Sequence, residues 1–147
     1  MPSYAYEKTA QTLVTELGHE IRTNDRTLPG SPDIFIPEKC LVVQVFGCFF
    51  HRHLDCPYCR TPARHIEHWA QKFKRTQDRD QHSKKALLQR GFRLLILWTC
   101  ALDYGLADRL RPALAAFIQG DEFYKEIGRL DLLALARPTP DLGSAAE

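Results

Sequence analysis

A dense group of side chains that could bind a metal or move a proton lies in the stretch FGCFFHRHLDCPYC, residues 46–59. Its thiols and imidazoles belong to Cys48, His51, His53, Cys56 and Cys59. Thiolate and imidazole are the usual ligands of zinc in proteins, and an imidazole also suits acid–base catalysis near neutral pH. The stretch therefore raises three possibilities: a metal site, a catalytic site and a surface that contacts a partner.

The spacing of these residues favours a structural zinc site. The run Cys-x4-His-x2-Cys supplies three ligands, Cys48, His53 and Cys56. The apolar runs CLVVQVFGC and FRLLILWTC both end in cysteine, so neighbouring parallel strands would bring Cys48 beside Cys100. Because zinc takes four ligands in a tetrahedron, the sequence predicts a zinc ion held by Cys48, His53, Cys56 and Cys100.

The two remaining cysteines leave alternatives open. Cys59 could replace Cys56 as a ligand, and CPYC could be a redox pair, although it does not open a helix, where such thiols gain reactivity. Cys40 lies in an apolar run and is expected to be a small buried hydrophobe. We expect a cytoplasmic protein, since the sequence has no apolar run of membrane-spanning length and no secretory signal pattern. In that reducing compartment, clustered cysteines indicate metal binding or catalysis.

Asp33 is a second candidate centre. It lies in PGSPDIFIP, where turn-forming residues give way to an apolar strand. A carboxylate at the start of a buried strand loses solvation unless it binds a cation or accepts good hydrogen bonds. Asp33 could cap the turn, or it could bind Mg²⁺, which takes oxygen ligands and few protein carboxylates. The next strand would run back beside it to Val45 and Phe46, where a backbone carbonyl could complete the metal shell.

Helices and strands alternate along the chain and must position these groups. Apolar residues at helical spacing predict a helix over residues 6–18. Two strands joined by a tight turn at Pro37 are predicted over residues 33–50, the second of them central in the sheet. The polar stretch 61–92 is predicted to be mostly helical, with Ile66, Trp69 and Phe73 as its buried stripe.

The second half continues the same alternation. An apolar strand ends at Cys100, a helix over residues 106–120 either begins or kinks at Pro112, and residues 121–136 predict a last helix or helix pair. This order predicts a two-layer or three-layer α/β domain around a small mixed sheet. A chain of 147 residues suits one domain, which we expect over residues 1–136, followed by a flexible tail over 137–147. The net charge of +2 does not by itself indicate nucleic-acid binding.

Three stretches together resemble the very-short-patch-repair (Vsr) endonuclease family: LPGSPDIFIPEKCLVVQVFGCFFHRHLDC, EHWAQKF with the later DRD, and GFRLLILWTCAL. The resemblance covers about residues 5–102 and carries specific motifs, namely Pro-Asp at a strand start, Gly-Cys-Phe-aromatic-His, and Trp-x-Cys at a strand end. It implies a restriction-endonuclease-like, PD-(D/E)xK-type α/β fold with a structural zinc. It also implies a monomeric, Mg²⁺-dependent enzyme that nicks one strand of double-stranded DNA at T:G mismatches.

The resemblance also implies roles for individual residues. Asp33 would bind Mg²⁺, with help from the backbone carbonyl of Val45. His51 would act beside the attacking water, Glu7 would hold metal-bound water, and Asp80 would orient His51. The zinc ligands implied by the resemblance are Cys48, His53, Cys56 and Cys100.

DNA contacts are implied at two places. The adjacent rings of Phe49 and Phe50 would wedge into the base stack beside a mismatch, where unstacking costs less free energy. At least one of the two rings must face outward if they lie on a strand, because strand neighbours alternate faces. A basic helix face could contact the DNA backbone, or could simply be solvated; its residues are Lys72, Lys74, Arg75, Arg79, Lys84 and Lys85.

The sequence departs from the family pattern in two respects. Phe46 replaces a residue that is usually histidine or aspartate and that contributes to the metal-water shell, so the site has one polar group fewer. Only six residues precede Glu7, so we do not expect an N-terminal arm that clamps the mismatch. Three other hypotheses stay open: a related nickase with another DNA target, a zinc-stabilised DNA-binding module without catalysis, and a zinc-containing protein-interaction domain.

Overall fold

The computed structural model describes residues 3–135, so the predicted tail lies outside the described residues. One mixed sheet has five strands in the order β1-β2-β3-β4-β5. The strands are β1 Arg22–Thr23, β2 Ile34–Ile36, β3 Leu41–Phe46, β4 Arg93–Trp98 and β5 Tyr124–Ile127. The helices are α1 Ser3–Glu16, α2 Ile66–Gln89, α3 Ala107–Gln119 and α4 Arg129–Leu135.

The pairing of β3 is the feature that sets up the candidate site. It runs antiparallel to β2 through a 3-10 turn at Pro37–Lys39, and parallel to β4, with Phe46 opposite Trp98 at the last position. Both predictions, the tight antiparallel turn and the central position of this strand, are confirmed. Because β3 and β4 are parallel and in register, the segments that follow them leave the same edge of the sheet.

Helices cover both faces of the sheet, which makes the architecture three-layered. Side chains alternate along β3: Leu41 and Val43 join the core formed with α1 and α3, whereas Val42 joins the core that contains Leu87 of α2. The near-continuous apolar character of β3 and β4 follows from this burial on two faces. The interior is therefore divided into two cores, one on each side of the sheet.

Two details of the helices differ from the prediction. Ile66, the first residue of α2, is 65% exposed, and Trp69 and Phe73 of the predicted buried stripe are half-buried. Pro112 does not begin α3, which runs through it, whereas the kink at this residue stays a prediction. Within residues 3–135, no helix combines the length and the apolar character needed to cross a bilayer.

The prediction of a last helix or helix pair over residues 121–136 is wrong in its first half. Residues Tyr124–Ile127 form strand β5, which pairs in parallel with β4, and only α4 is helical. β5 has only four residues, two of which are the charged Lys125 and Glu126, so its sequence signal is weak. The two-residue edge strand β1, which pairs antiparallel with β2, was also not predicted.

Cys40 is a further correction. It is exposed rather than buried, because it ends the 3-10 turn in the left-handed conformation with φ of 50° before β3 begins. Its side chain therefore does not follow the inward alternation of the strand.

A buried arginine connects the sheet to α3. Arg93, at the start of β4, donates to the carbonyls of Ile118 at 3.1 Å and Glu122 at 2.9 Å, and also to that of Phe117. These acceptors lie in the last turn of α3 and in the turn after it, where helical carbonyls run out of N–H partners; that of Phe117 also accepts from the N–H of Gly120 at 3.3 Å. Arg93 thus closes the end of α3 and directs the chain into β5.

Candidate functional site

A cleft of about 630 Å³ opens where β3 ends and the loop after it turns towards α2. Five of the residues predicted to act in catalysis or metal binding line it: Glu7, Asp33, Val45, His51 and Asp80. They come from α1, the residue before β2, β3, the loop and α2. The fold therefore brings all the residues predicted for catalysis and Mg²⁺ binding into one cleft, separate from the predicted zinc ligands.

Asp33 is the most perturbed acid in the cleft. Its Oδ2 accepts a hydrogen bond from the backbone N–H of Val45 at 2.6 Å. The net effect of its surroundings nevertheless raises the pKa of Asp33 to about 6: burial is the largest cause, and the charge of Glu7 acts in the same direction, whereas the Val45 N–H and His51 lower the pKa. A carboxyl group held partly out of water beside a second acid is a group that a cation would stabilise.

This environment fits a divalent cation. Mg²⁺ prefers oxygen ligands and is bound through one or two carboxylates, with water filling the rest of its shell. Asp33 and Glu7 supply such oxygens, and the cleft leaves room for water and a phosphate. The structure shows the N–H of Val45 engaged with Asp33; the predicted role of the Val45 carbonyl stays a prediction.

His51 and Asp80 form a close pair across the cleft. Nδ1 of His51 lies 2.6 Å from Oδ2 of Asp80. The loop supplies His51 and α2 supplies Asp80, so the pair exists only because α2 packs over the end of the sheet. With Nδ1–H donating to the carboxylate, Nε2 keeps its lone pair and can accept a proton. This is the arrangement of an oriented general base.

The predicted zinc ligands converge at the other side of the same loop. One ligand atom each from Cys48, His53, Cys56 and Cys100 lies within 4.8 Å of all the others. Nδ1 of His53 is 3.5 Å from Sγ of Cys48 and 3.6 Å from Sγ of Cys100. A tetrahedral zinc with bonds of about 2.3 Å to sulfur and 2.0–2.1 Å to nitrogen would separate these atoms by about 3.5 Å. The geometry therefore fits zinc.

The electrostatics of the thiols agree with that assignment. A hydrogen bond from the Cys100 thiol lowers the pKa of Cys48 to about 4, and the same contact raises the pKa of Cys100. The backbone N–H of Arg129 also donates to Sγ of Cys100 at 3.1 Å. One thiolate thus forms readily, and a cation would be needed to offset the charge of the second. Cys59 lies outside this group, which favours Cys56 over the alternative.

Gly128 contributes to the metal centre without supplying a ligand, and sequence analysis missed it. A Cβ placed there would lie 2.7 Å from Cε1 of His53, 3.0 Å from its Nε2 and 3.5 Å from Sγ of Cys100. Only a glycine between β5 and α4 lets the backbone approach the imidazole this closely. The IGR run in the sequence gives no signal of this role, because the contact depends on the placement of β5.

The two adjacent phenylalanines occupy different environments. Both lie in a turn after β3 rather than on a strand, so the expected alternation does not apply to them. Phe50 is 46% exposed at the rim of the cleft, whereas Phe49 is half-buried and packs edge-on against Trp69 and Phe73 of α2. Phe50 is therefore the ring available to contact a base, and Trp69 lies 6.1 Å from it.

Two side chains without an assigned role fix the loop. The guanidinium of Arg52 lies 4.0 Å from the centre of the Phe73 ring and donates to the carbonyls of Phe49 and Arg60, each at 3.1 Å. Tyr58, in the CPYC run, donates to Asp103 at 2.9 Å. These contacts attach the loop to α2 and to the segment after β4.

The basic residues proposed for DNA contact divide into groups. Arg79 lines the cleft, and Nζ of Lys72 lies 5.7 Å from the centre of the Phe50 ring, so both lie beside the cleft and its rim. Lys74 instead pairs with Asp78 at 3.0 Å on the surface of α2. Arg75 is exposed on the same helix. Lys84 lies over the ring of Tyr124, on the far side of His51.

Comparison with known proteins relates this site to a family. The family model described as DNA mismatch endonuclease Vsr matches residues 3–57. A type II nicking enzyme of Xanthomonas oryzae pv. oryzae is 37% identical over 110 residues, which are 74% of this chain and 80% of the relative. The DNA mismatch endonuclease Vsr of Escherichia coli is 36% identical over 113 residues, 72% of each chain.

A third relative is more distant. A type II nicking enzyme of Neisseria meningitidis is 31% identical over 85 residues, which are 58% of this chain and 60% of the relative. The relatives thus include both a mismatch endonuclease and nicking enzymes.

Proposed function

Because the chain belongs to the Vsr family of DNA endonucleases, we propose that it is a Mg²⁺-dependent enzyme that nicks one strand of duplex DNA at T:G mismatches. The observation that carries this proposal is the meeting of the His51–Asp80 pair with the buried carboxyl of Asp33 in one cleft. The family relationship also supports a restriction-endonuclease-like fold for the mixed sheet and its helices. We further propose that the chain acts as a monomer.

The residues of the cleft divide the hydrolysis between them. Asp33 and Glu7 would hold Mg²⁺, which when bound stabilises negative charge on the scissile phosphate. Water attacks phosphorus as the bond to the leaving oxygen breaks, and Nε2 of His51 takes the proton that the water loses. Asp80 holds the imidazole in the tautomer that this transfer requires. The zinc ion would fix the loop that carries His51, two residues before the ligand His53.

Selection of a mismatch is assigned to the aromatic rim of the cleft. The exposed ring of Phe50 is placed to enter a base step, supported by Phe49 and Trp69. Inserting a ring costs a few kcal/mol of stacking free energy per base step. A mismatched step loses less stacking free energy than a matched one, so insertion there is easier. Lys72 and Arg79 would contact phosphates beside it, which adds affinity without sequence preference.

The test is a nicking assay with labelled duplexes that differ only in T:G against T:A at one position. With Mg²⁺, the wild-type protein should nick the T:G duplex and largely spare the matched one. Asp33→Ala and His51→Ala should each lose nicking while retaining bound zinc, measured by elemental analysis. Arg109→Ala, on the exposed surface of α3 and outside the lining of the cleft, is the control and should nick normally. Equal cleavage by Asp33→Ala and wild type would overturn the proposed active site.

A nickase with another target is the second candidate, favoured by the type II nicking enzymes among the relatives. The same assay, extended to duplexes with other mismatches and other flanking sequences, separates the two. Nicking that follows the flanking sequence and ignores the mismatch would favour this candidate. Binding without nicking on every duplex would instead indicate a DNA-binding module, the hypothesis raised by Phe46.

A further inference from the structure

Phe46, the last residue of β3, contacts His51 face to face. The two ring centres are 4.0 Å apart and their planes differ by 7°. The residue therefore lies against the candidate base itself, although its apolar ring can neither bind a metal nor move a proton. Phe46, His51 and Asp80 all line both the cleft and a smaller neighbouring hollow of about 400 Å³.

Phe46 is itself fixed by the sheet. Its ring packs edge-on against Trp98, the residue opposite it on β4, with ring centres 5.5 Å apart. Trp98 in turn donates its indole N–H to Glu126 of β5 at 3.0 Å and stacks on His53 with ring centres 4.2 Å apart. The side chain stacked on His51 is thus supported by two strands and does not depend on the loop for its position.

We propose that Phe46 is a positioning residue for His51, an inference that rests on the proposed function. The hydrogen bond to Asp80 fixes the direction of Nδ1, but it leaves the imidazole free to rotate about the line joining Nδ1 and Oδ2. A parallel ring against one face removes that rotation. Phe46 and Asp80 together therefore fix the direction of the Nε2 lone pair, which must point at the attacking water for proton transfer to be efficient.

A purely structural role for Phe46 makes a different prediction. Phe46 belongs to the core that contains Leu87 and Trp98, and a residue that only fills this core would be replaced by another apolar side chain at the cost of stability alone. A residue that aligns an imidazole requires a flat ring, and its loss would slow the chemical step without weakening DNA binding. The two roles can therefore be separated by the shape of the substituent.

The experiment compares Phe46→Leu, which keeps apolar volume and loses the ring, with Phe46→Tyr, which keeps the ring. The readouts are the single-turnover nicking rate at saturating protein, the Kd for the same duplex in Ca²⁺, and zinc content. Phe46→Leu should lower the rate about tenfold to a hundredfold, since small misplacements of a catalytic group have effects of this size, with Kd and zinc unchanged. Phe46→Tyr should nick at close to the wild-type rate.

Phe92→Leu is the matched control, because Phe92 belongs to the same core but packs against Phe35 at the opposite end of β4. It should lower stability and leave the nicking rate unchanged. In ¹³C-histidine spectra, with the signal of His51 identified by its loss in His51→Ala, the ring protons should lie upfield in wild type and Phe46→Tyr. They should return downfield in Phe46→Leu, because a ring stacked on an imidazole shields it.

The outcomes distinguish this inference from the proposed function. If His51→Ala nicks like wild type, the proposed active site fails. If His51→Ala is inactive but Phe46→Leu nicks like wild type, or if Phe46→Tyr is as slow as Phe46→Leu, only the positioning role is overturned. An unchanged His51 signal in Phe46→Leu would also reject the stack.

Discussion

Replacing the carboxyl of Asp33 by an amide should stabilise the Mg²⁺-free protein while it removes activity. Burial raises the pKa of Asp33 to about 6 from 3.8, so the folded state holds a proton that the unfolded state has already lost between these values. Stability therefore falls as the pH rises through this window and stays low above it. Asparagine resembles the protonated form of the carboxyl at every pH, so Asp33→Asn avoids this loss of stability at high pH.

The size of the effect follows from the two pKa values. At 1.36 kcal/mol per pH unit, the shift corresponds to about 3 kcal/mol, and allowing for the solvent that reaches this half-buried group gives about 2–3 kcal/mol at pH 8. At pH 5 the folded wild type is mostly protonated, so the advantage of Asp33→Asn should shrink to about half of its value at pH 8.

The assay is urea unfolding at pH 5 and pH 8, followed by tryptophan fluorescence, in buffer without Mg²⁺ and without a chelator that would remove zinc. Asp25→Asn is the control, since hydrogen bonds from Thr27 lower the pKa of Asp25 and the same substitution should there be neutral or destabilising. Adding Mg²⁺ at pH 8 should stabilise wild type and leave Asp33→Asn unchanged. Burial of an ionised Asp33 carboxyl would be refuted as a cost to stability if Asp33→Asn were no more stable than wild type at pH 8. The same conclusion would follow if the difference in the free energy of unfolding were equal at both pH values.

Four further predictions concern the metal centre, the rim and the framework. Gly128→Ala should displace the imidazole of His53 and reduce bound zinc, measured by elemental analysis after dialysis, because its Cβ would lie 2.7 Å from that ring. Cys100→Ser should lower both zinc content and thermal stability, since it removes one of the ligands. Phe50→Ala should reduce the preference for T:G over matched duplexes in the nicking assay more than it reduces zinc or stability. Arg93→Met should lower the free energy of unfolding by about 2–3 kcal/mol in urea, because it removes the buried guanidinium that donates to the carbonyls of Ile118 and Phe117 at the end of α3.

Controls from the same chain sharpen the zinc predictions. Cys40→Ser and Cys59→Ser should keep a full equivalent of zinc, since both residues lie outside the ligand group. Zinc loss in Cys59→Ser together with retention in Cys56→Ser would show that the alternative ligand is the correct one. Full zinc occupancy in Gly128→Ala would contradict the close approach of the backbone to His53.

Sequence alone determined the parts of this protein that depend on local pattern. The helical spacing of Ala10, Leu13 and Val14 predicted α1, and uninterrupted apolar runs predicted β3 and β4 as neighbouring buried strands. The zinc set followed from those strands, because two cysteines at the ends of adjacent parallel strands must meet at one edge of the sheet. The position of Asp33 at the start of an apolar strand suggested Mg²⁺ binding, and the family resemblance supplied the candidate role of His51.

Only the tertiary structure decided the contacts that depend on how distant elements pack. Strand β5 is short and contains two charged residues, so it forms because β4 offers it a partner. Its position then brings Gly128 against His53. The stacking of Phe46 on His51 depends on the path of the loop after β3, which no periodicity encodes. The sequence marks which side chains can do chemistry, whereas the packing of α2 and β5 against the sheet determines which of them touch.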